Sequence, residues 1–173
     1  MTKQHVIIFD GPDGCGKTQM SQALANELEI PYFKNCDEHR YFLQDPSYFL
    51  HAVRYVDTYF TSFLEQSGAS VILDRAWPSE WIYGSVLGRK VDFEVLRELD
   101  SRHARLGTKI IIPVRSNYEN SSDEYEAIND NIEKIHERYL EFAEWSKCDV
   151  LVMNVDDENL ERELSDIKQF LEK

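Results

Sequence analysis

Four apolar residues, Val6 to Phe9, run into Asp10 and then into Gly11-Pro12-Asp13-Gly14-Cys15-Gly16-Lys17-Thr18, after which the chain turns amphipathic. No other stretch limits the fold so tightly. The octet fits G-x-x-x-x-G-K-[S/T]. Its glycines permit a turn that side chains would obstruct, so successive backbone N–H groups can point inward at one anion. A helix beginning at this turn adds its unpaired first amides and the positive end of its dipole. Lys17 is placed to reach the β- and γ-phosphates of a nucleotide, and the Thr18 hydroxyl to bind Mg²⁺. Gly11, Asp13, Gly14, Cys15, Gly16, Lys17 and Thr18 are therefore the expected nucleotide cradle. The plainer alternative is a glycine-rich turn that binds nothing. The strand before the turn and the helix after it favour the cradle.

Further apolar runs follow at 31–34, 70–74, 108–114 and 149–155, besides the first at 5–10. Runs this continuously apolar suit strands covered on both faces. Between them lie amphipathic stretches. Residues 17–29 carry Met20, Leu24 and Leu28, and residues 46–66 carry Phe49, Val53, Val56, Phe60 and Phe63. Asp45 as a cap and Pro46 at the first position mark the second start. Residues 93–106 run from Asp92 to Gly107 with Val95, Leu99, His103 and Leu106 on one stripe. A single helix is expected over 124–144 and a last one over about 157–172. The pattern predicts an α/β fold of three layers, with a five-stranded parallel sheet between helices. Ligands in such sheets bind at the carboxyl ends of the strands. Asp10, Lys34, Asp74, Arg115 and Asp156 stand at those ends and form one prospective rim.

The length, 173 residues, suits one domain, and 42% apolar residues suffice for a packed core. Nineteen basic against 32 acidic residues give a net charge of −13. Such a surface repels the phosphate backbone, so general coating of nucleic acid is disfavoured, while a focused basic pocket stays compatible. The start, MTKQHVIIFD, lacks the long apolar region of a secretory signal, and no run approaches a membrane span. Cys15, Cys36 and Cys148 are widely spaced, as are the histidines, which suits a reducing cytoplasm and no structural zinc. His103 is expected to be half-buried. Trp77 and Trp81, at helical spacing, are expected in the core.

Asp74 ends the third run and precedes Arg75. An acid there can hold the Mg²⁺ shell or accept a proton; the alternative is a surface ion pair. A guanine-nucleotide switch is disfavoured. Ser146-Lys147-Cys148-Asp149 has Ser where N-K-x-D has Asn, and Asp74-Arg75-Ala76-Trp77 is not D-x-x-G.

F-D-G-P-D-G-C-G-K-T at 9–18 and D-R-A-W-P-S-E-W-I-Y-G at 74–84 resemble the thymidylate kinase and deoxynucleoside kinase group of P-loop kinases. The likeness extends over most of the chain. It implies one kinase domain over 1–173, strand order 2-3-1-4-5, and transfer of the ATP γ-phosphate, with Mg²⁺, to a small nucleotide acceptor. It also implies roles. Lys17 holds donor phosphates, Thr18 and Asp74 serve the metal, and Arg75 bridges donor and acceptor phosphates. Asp13 binds the sugar 3′-hydroxyl, and Tyr83 packs beneath the sugar and disfavours a 2′-hydroxyl. Arg54 reads a pyrimidine edge, against the alternative of an exposed helix arginine, and Lys34 receives the acceptor phosphate. A homodimer packed through helices at the sheet edge is expected by the same analogy.

Three positions depart from the group. Leu50 stands where a base-stacking Phe is usual. Glu80 replaces a small or amide residue near the base, and a buried carboxylate there would accept hydrogen bonds from an amino or imino group. The segment after the fourth run, 115–125, reads RSNYENSSDEY and should be the lid, yet Arg115 is its sole arginine. Arg115 takes over the lid's usual task, or Arg75 acts alone. The expected acceptor is a deoxynucleoside monophosphate, dTMP or a related pyrimidine nucleotide, modified or not. A nucleoside 5′-hydroxyl and a modified base within DNA are the open alternatives.

Overall fold

The computed structural model describes residues 4–34, 46–119 and 126–173. Five parallel strands form one sheet in the order β2-β3-β1-β4-β5. They are β1 (Val6–Phe9), β2 (Tyr32–Lys34), β3 (Val71–Asp74), β4 (Lys109–Val114) and β5 (Asp149–Asn154). The order is the expected one. The central strands are buried on both faces, which is why they read as unbroken apolar runs.

Alternation along each strand divides the core. Val6, Ile8, Val71, Leu73, Ile110 and Ile112 face one layer of helices. It consists of α2 (Pro46–Ser67), α3 (Trp77–Val86), α4 (Phe93–Arg105) and α6 (Ile132–Trp145). Ile7, Phe9, Ile72 and Ile111 face the other layer, α1 (Lys17–Leu28) and α7 (Leu160–Leu171). Sheet and two helical layers make a three-layer α/β/α domain. Trp77 and Trp81 lie in the first core, as expected.

Several expectations needed correction. The β3–β4 crossover holds two helices, and the sequence pattern revealed only α4. The helix expected over 124–144 is divided into α5 (Glu126–Asn129) and α6, with 124 and 125 outside the described residues. At the break, the Asn131 side chain donates to the Ala127 carbonyl at 2.9 Å, a local bond that competes with the helical ladder. The last helix starts later than expected, at Leu160, where the Asn159 side chain accepts from Arg162 N. The buried face of α2 is also rotated. Asp57, Thr61 and Leu64 are buried, whereas Val56 and Phe63 are exposed. A histidine explains the rotation: His103 is fully buried, and its Nε2 lies 3.0 Å from Asp57 Oδ1. The ring's other nitrogen is 3.0 Å from Thr108 Oγ1.

Candidate active site

The turn from β1 into α1 is shaped by its neighbours. A Cβ at Gly11 would stand 2.9 Å from the Pro113 carbonyl oxygen on β4, so only glycine fits there. Gly16 caps α1 at φ 72°, a left-handed conformation costly for other residues. Lys17 is buried, and its Nζ donates to the Pro12 carbonyl across the loop at 2.7 Å. Burial, aided by the charge of Arg75, pushes its ammonium down to about 8.

Register brings the third strand end to the same place. Asp74 pairs with Phe9 on one side and with Lys34 on the other. The Thr18 hydroxyl donates to Asp74 Oδ2 at 2.6 Å, and the Tyr32 hydroxyl donates to the same oxygen at 3.0 Å. Tyr32 is pushed up to about 12 by burial and by the Asp74 charge. Lys34 is exposed at the end of the edge strand.

Arg75 adopts a left-handed backbone, φ 66°, with its N–H on the Phe9 carbonyl at 2.8 Å. This departs from the usual conformation of an arginine and turns its guanidinium back over the cradle. There it ion-pairs with Asp13 and donates to Ser79 Oγ, the Tyr83 hydroxyl and the Gly11 carbonyl. Its Cζ lies 5.0 Å from the Tyr83 ring centroid. The Tyr83 hydroxyl donates to Asp13 Oδ2 at 2.6 Å. Burial raises the Asp13 carboxyl, but the Arg75 and Lys17 charges and the Tyr83 hydroxyl outweigh it, leaving Asp13 lowered and ionised near neutrality. Asp13, Arg75 and Tyr83 thus form one constellation beside the cradle.

Arg115 also reaches the cradle. Its Nε donates to the Gly14 carbonyl at 2.9 Å, and its Nη2 pairs with Glu158 at 2.8 Å. Asp156 accepts from Ser116 N, and its carboxyl is pulled down to about 2 by bonds to Ser116 and Asn154. Of the segment 115–125, residues 120–125 lie outside the described residues.

Two expected acceptor residues, Arg54 and Glu80, make their described contacts away from this cluster. Arg54, half exposed, pairs with Glu98 of α4 at 3.8 Å. Leu50 lies in α2, with its side chain outside the described residues. Glu80 is buried and receives Arg89 Nη2 at 3.0 Å, while its Oε1 has no hydrogen-bond partner. Burial pushes the Glu80 carboxyl up to about 7, against the offsetting charge of Arg89. Gly84, one turn on, permits the close approach of Val91: a Cβ there would meet Val91 Cγ2 at 2.7 Å and Glu80 Oε1 at 3.3 Å.

Asp10, expected on the rim, is fully buried instead. Donors surround it: Gly11 N, Ala76 N, Ser79 N, Ser79 Oγ and the Tyr139 hydroxyl. Those hydrogen bonds compensate the burial of its charge. Sequence reasoning missed Ser79, Arg89, Tyr118 and Tyr139. The Tyr118 hydroxyl accepts from Arg115 N and lies 2.8 Å from His136 Nδ1. Only the order Asp-Arg-x-x-x-Ser hinted at Ser79.

Thr18 and Asp74 suit a hard cation by the chemistry of their oxygens. Among the described residues there is no group of three or more His, Cys, Asp or Glu that could hold a metal. The fit is therefore to a cation that takes one carboxylate and a hydroxyl and completes its shell with phosphate and water, which is how Mg²⁺ is usually held. Among the described residues no helix is long and apolar enough to cross a membrane.

Sheet order and cradle together define a P-loop domain of the three-layer α/β/α kind. Solved structures share this fold, a thymidylate kinase and a deoxyadenosine kinase among them. Bacillus subtilis YorR, crystallised with phosphorylated GDP, superposes with a TM-score of 0.69 at 19% identity, over 97% of this chain and 96% of its own. Thymidylate kinase from Ehrlichia chaffeensis gives 0.63 at 16% identity, over 99% and 100%. Deoxyadenosine kinase from M. mycoides with bound dATP gives 0.60 at 18%, over 98% and 100%. Similarity to a curated protein is local: the cell division control protein 48 homolog C of Arabidopsis thaliana is 54% identical over 28 residues, 16% of this chain and 3% of that protein. The chain thus spans 3% of that relative's length. No family model matches the sequence.

Proposed function

We propose that this chain is a nucleotide kinase that transfers the γ-phosphoryl group of ATP to a deoxynucleoside monophosphate, dTMP or a related pyrimidine nucleotide. The observation that carries the reading is the constellation of Asp13, Arg75 and Tyr83 against a cradle containing Lys17. Donor-phosphate ligands and acceptor-orienting groups then lie within one side chain of each other. An acceptor phosphate oxygen attacks the γ-phosphorus in line, the bond to the β,γ-bridging oxygen breaks, and ADP leaves.

Each residue has a part that fits its surroundings. The cradle amides and Lys17 neutralise the donor phosphates. The Arg75 guanidinium, with charge and fixed donors, spans donor and acceptor as charge spreads over the equatorial oxygens. Asp13 stays ionised and accepts from the sugar 3′-hydroxyl. Tyr83 supports the sugar. Lys34 receives the acceptor phosphate. Arg115, the arginine of the proposed lid at 115–125, braces the cradle through the Gly14 carbonyl. Thr18 and Asp74 would hold Mg²⁺, which when bound supplies positive charge to the β- and γ-phosphate oxygens.

A nucleoside acceptor is the second reading, since the fold is shared with a deoxyadenosine kinase. A 5′-hydroxyl requires a general base. Asp74, the one acid of β3, is assigned to the metal in the first reading, which leaves β3 no second acid for that task. The test is ADP release with every common deoxynucleoside and its monophosphate, modified pyrimidines included. The proposal expects turnover with a monophosphate. Turnover with nucleosides alone refutes it.

A further inference from the structure

Arg75 lies between two carboxylates. On one side its Nη2 pairs with Asp13. On the other its Nη1 stands 3.7 Å from Asp10 Oδ1, near enough for attraction and too far for a hydrogen bond. Asp10 is fully buried, so its charge is little screened. How strongly it draws the guanidinium depends on how completely Oδ1 is occupied by other donors.

Three donors occupy that oxygen. Gly11 N lies at 3.0 Å, Ser79 Oγ at 2.7 Å and the Tyr139 hydroxyl at 2.6 Å. The shortest of these comes from α6, the helix that follows the segment after β4. Tyr139 is fully buried, and its ring meets Tyr83 edge-on at 6.4 Å. The hydroxyl is therefore fixed in place, and no role in binding a phosphate is open to it.

We propose that the Tyr139 hydroxyl is a positioning group for Arg75: by occupying Asp10 Oδ1 it keeps the guanidinium turned toward Asp13 and Tyr83, above the cradle. Without it, Oδ1 keeps only the Gly11 N and Ser79 Oγ donors, and more of its buried negative charge is left uncompensated. Arg75 Nη1 is the nearby cation that this charge would draw. Closing the 3.7 Å gap would withdraw the guanidinium from the phosphates. A tyrosine on α6 thereby ties that helix to the phosphate-bridging arginine. The inference rests on the reading of Arg75 as that bridge.

Tyr139→Phe tests it, because the ring is kept and only the donor is lost. The expected result is a kcat lower by about tenfold, with KM for ATP changed less than about twofold, since the cradle itself is untouched. In ¹⁵N-labelled protein the Arg75 Nε–Hε resonance, assigned with Arg75→Lys, should shift. A merely structural tyrosine would lower the melting temperature and leave that resonance in place. An unmoved resonance overturns the inference, whatever happens to kcat. Should Tyr139→Phe not fold, Tyr139→Met removes the same donor with a more adaptable apolar side chain and is expected to shift the resonance likewise; no shift there overturns it equally. If the unmodified protein turns over no acceptor, the kinase reading fails, while the resonance still reports whether Tyr139 sets the position of Arg75.

Discussion

Thr18 and Asp74, 56 positions apart in the chain, are joined by a hydrogen bond of 2.6 Å from hydroxyl to carboxylate. Parallel pairing makes this possible. Phe9 and Asp74 are register partners, so the turn after β1 and the end of β3 come out side by side. Both oxygens belong to groups that accept a hard cation. The pair, rather than either residue, is the proposed metal locus.

Asp74→Asn should therefore act on metal dependence. The amide keeps the shape but loses the charge. Half-saturation by Mg²⁺ should rise about tenfold or more, with kcat lower by about a hundredfold. A Mg²⁺ titration of turnover checks this, and an unchanged titration curve speaks against the assignment.

Lys17→Ala should lower turnover by about a thousandfold or more, the scale of losing a transition-state cation. The fold should persist. Lys17 is buried, and removing its ammonium also removes a desolvated charge, so the melting temperature should hold or rise. Full activity in this variant would remove the mechanism.

Glu80→Gln should change how stability depends on pH. The native carboxyl is raised from 4.5 to about 7. The folded state then holds a proton that the unfolded state has released, so this group's contribution falls as pH rises from about 4.5 to 7 and stays low above. The glutamine imitates the protonated acid and lacks that decline. Relative to the unmodified protein it should gain roughly 2–3 kcal/mol between pH 5 and pH 8. Chemical denaturation at the two values measures the difference, and parallel pH profiles would contradict it.

Tyr83→Ala should open the space proposed to lie beneath the sugar. The ratio of kcat/KM for a deoxynucleotide to that for the matching ribonucleotide should fall about tenfold or more. Kinetics with both sugars on a folded variant decide it. An unchanged ratio places the sugar elsewhere.

The parts of the fold legible in the sequence were those whose cause is local. Val6–Phe9 and Val71–Asp74 are buried on both faces and so read as apolar runs, and the cradle is an uninterrupted octet. Helix α3 was hidden because Pro78 and Gly84 punctuate its ten residues, yet Pro78 stands in its first turn and Gly84 faces Glu80 and Val91. Asp10 looked like a rim residue because its donors come from positions 11, 76, 79 and 139, which only the folded chain assembles. The orientation of α2 follows from the contact of His103, which the stripe of α4 already turned inward, with Asp57, a polar residue that periodicity would assign to solvent. Arg54 and Glu80 likewise found partners, Glu98 and Arg89, that no spacing rule announces.

The most direct measurement is the ³¹P spectrum of the protein mixed with ATP, Mg²⁺ and dTMP, followed by the same mixture with thymidine in place of dTMP. Phosphoryl transfer to a monophosphate predicts that the dTMP singlet gives way to the paired doublets of a nucleoside diphosphate as ATP becomes ADP. A persistent dTMP singlet, together with a new monophosphate singlet from thymidine, would contradict it.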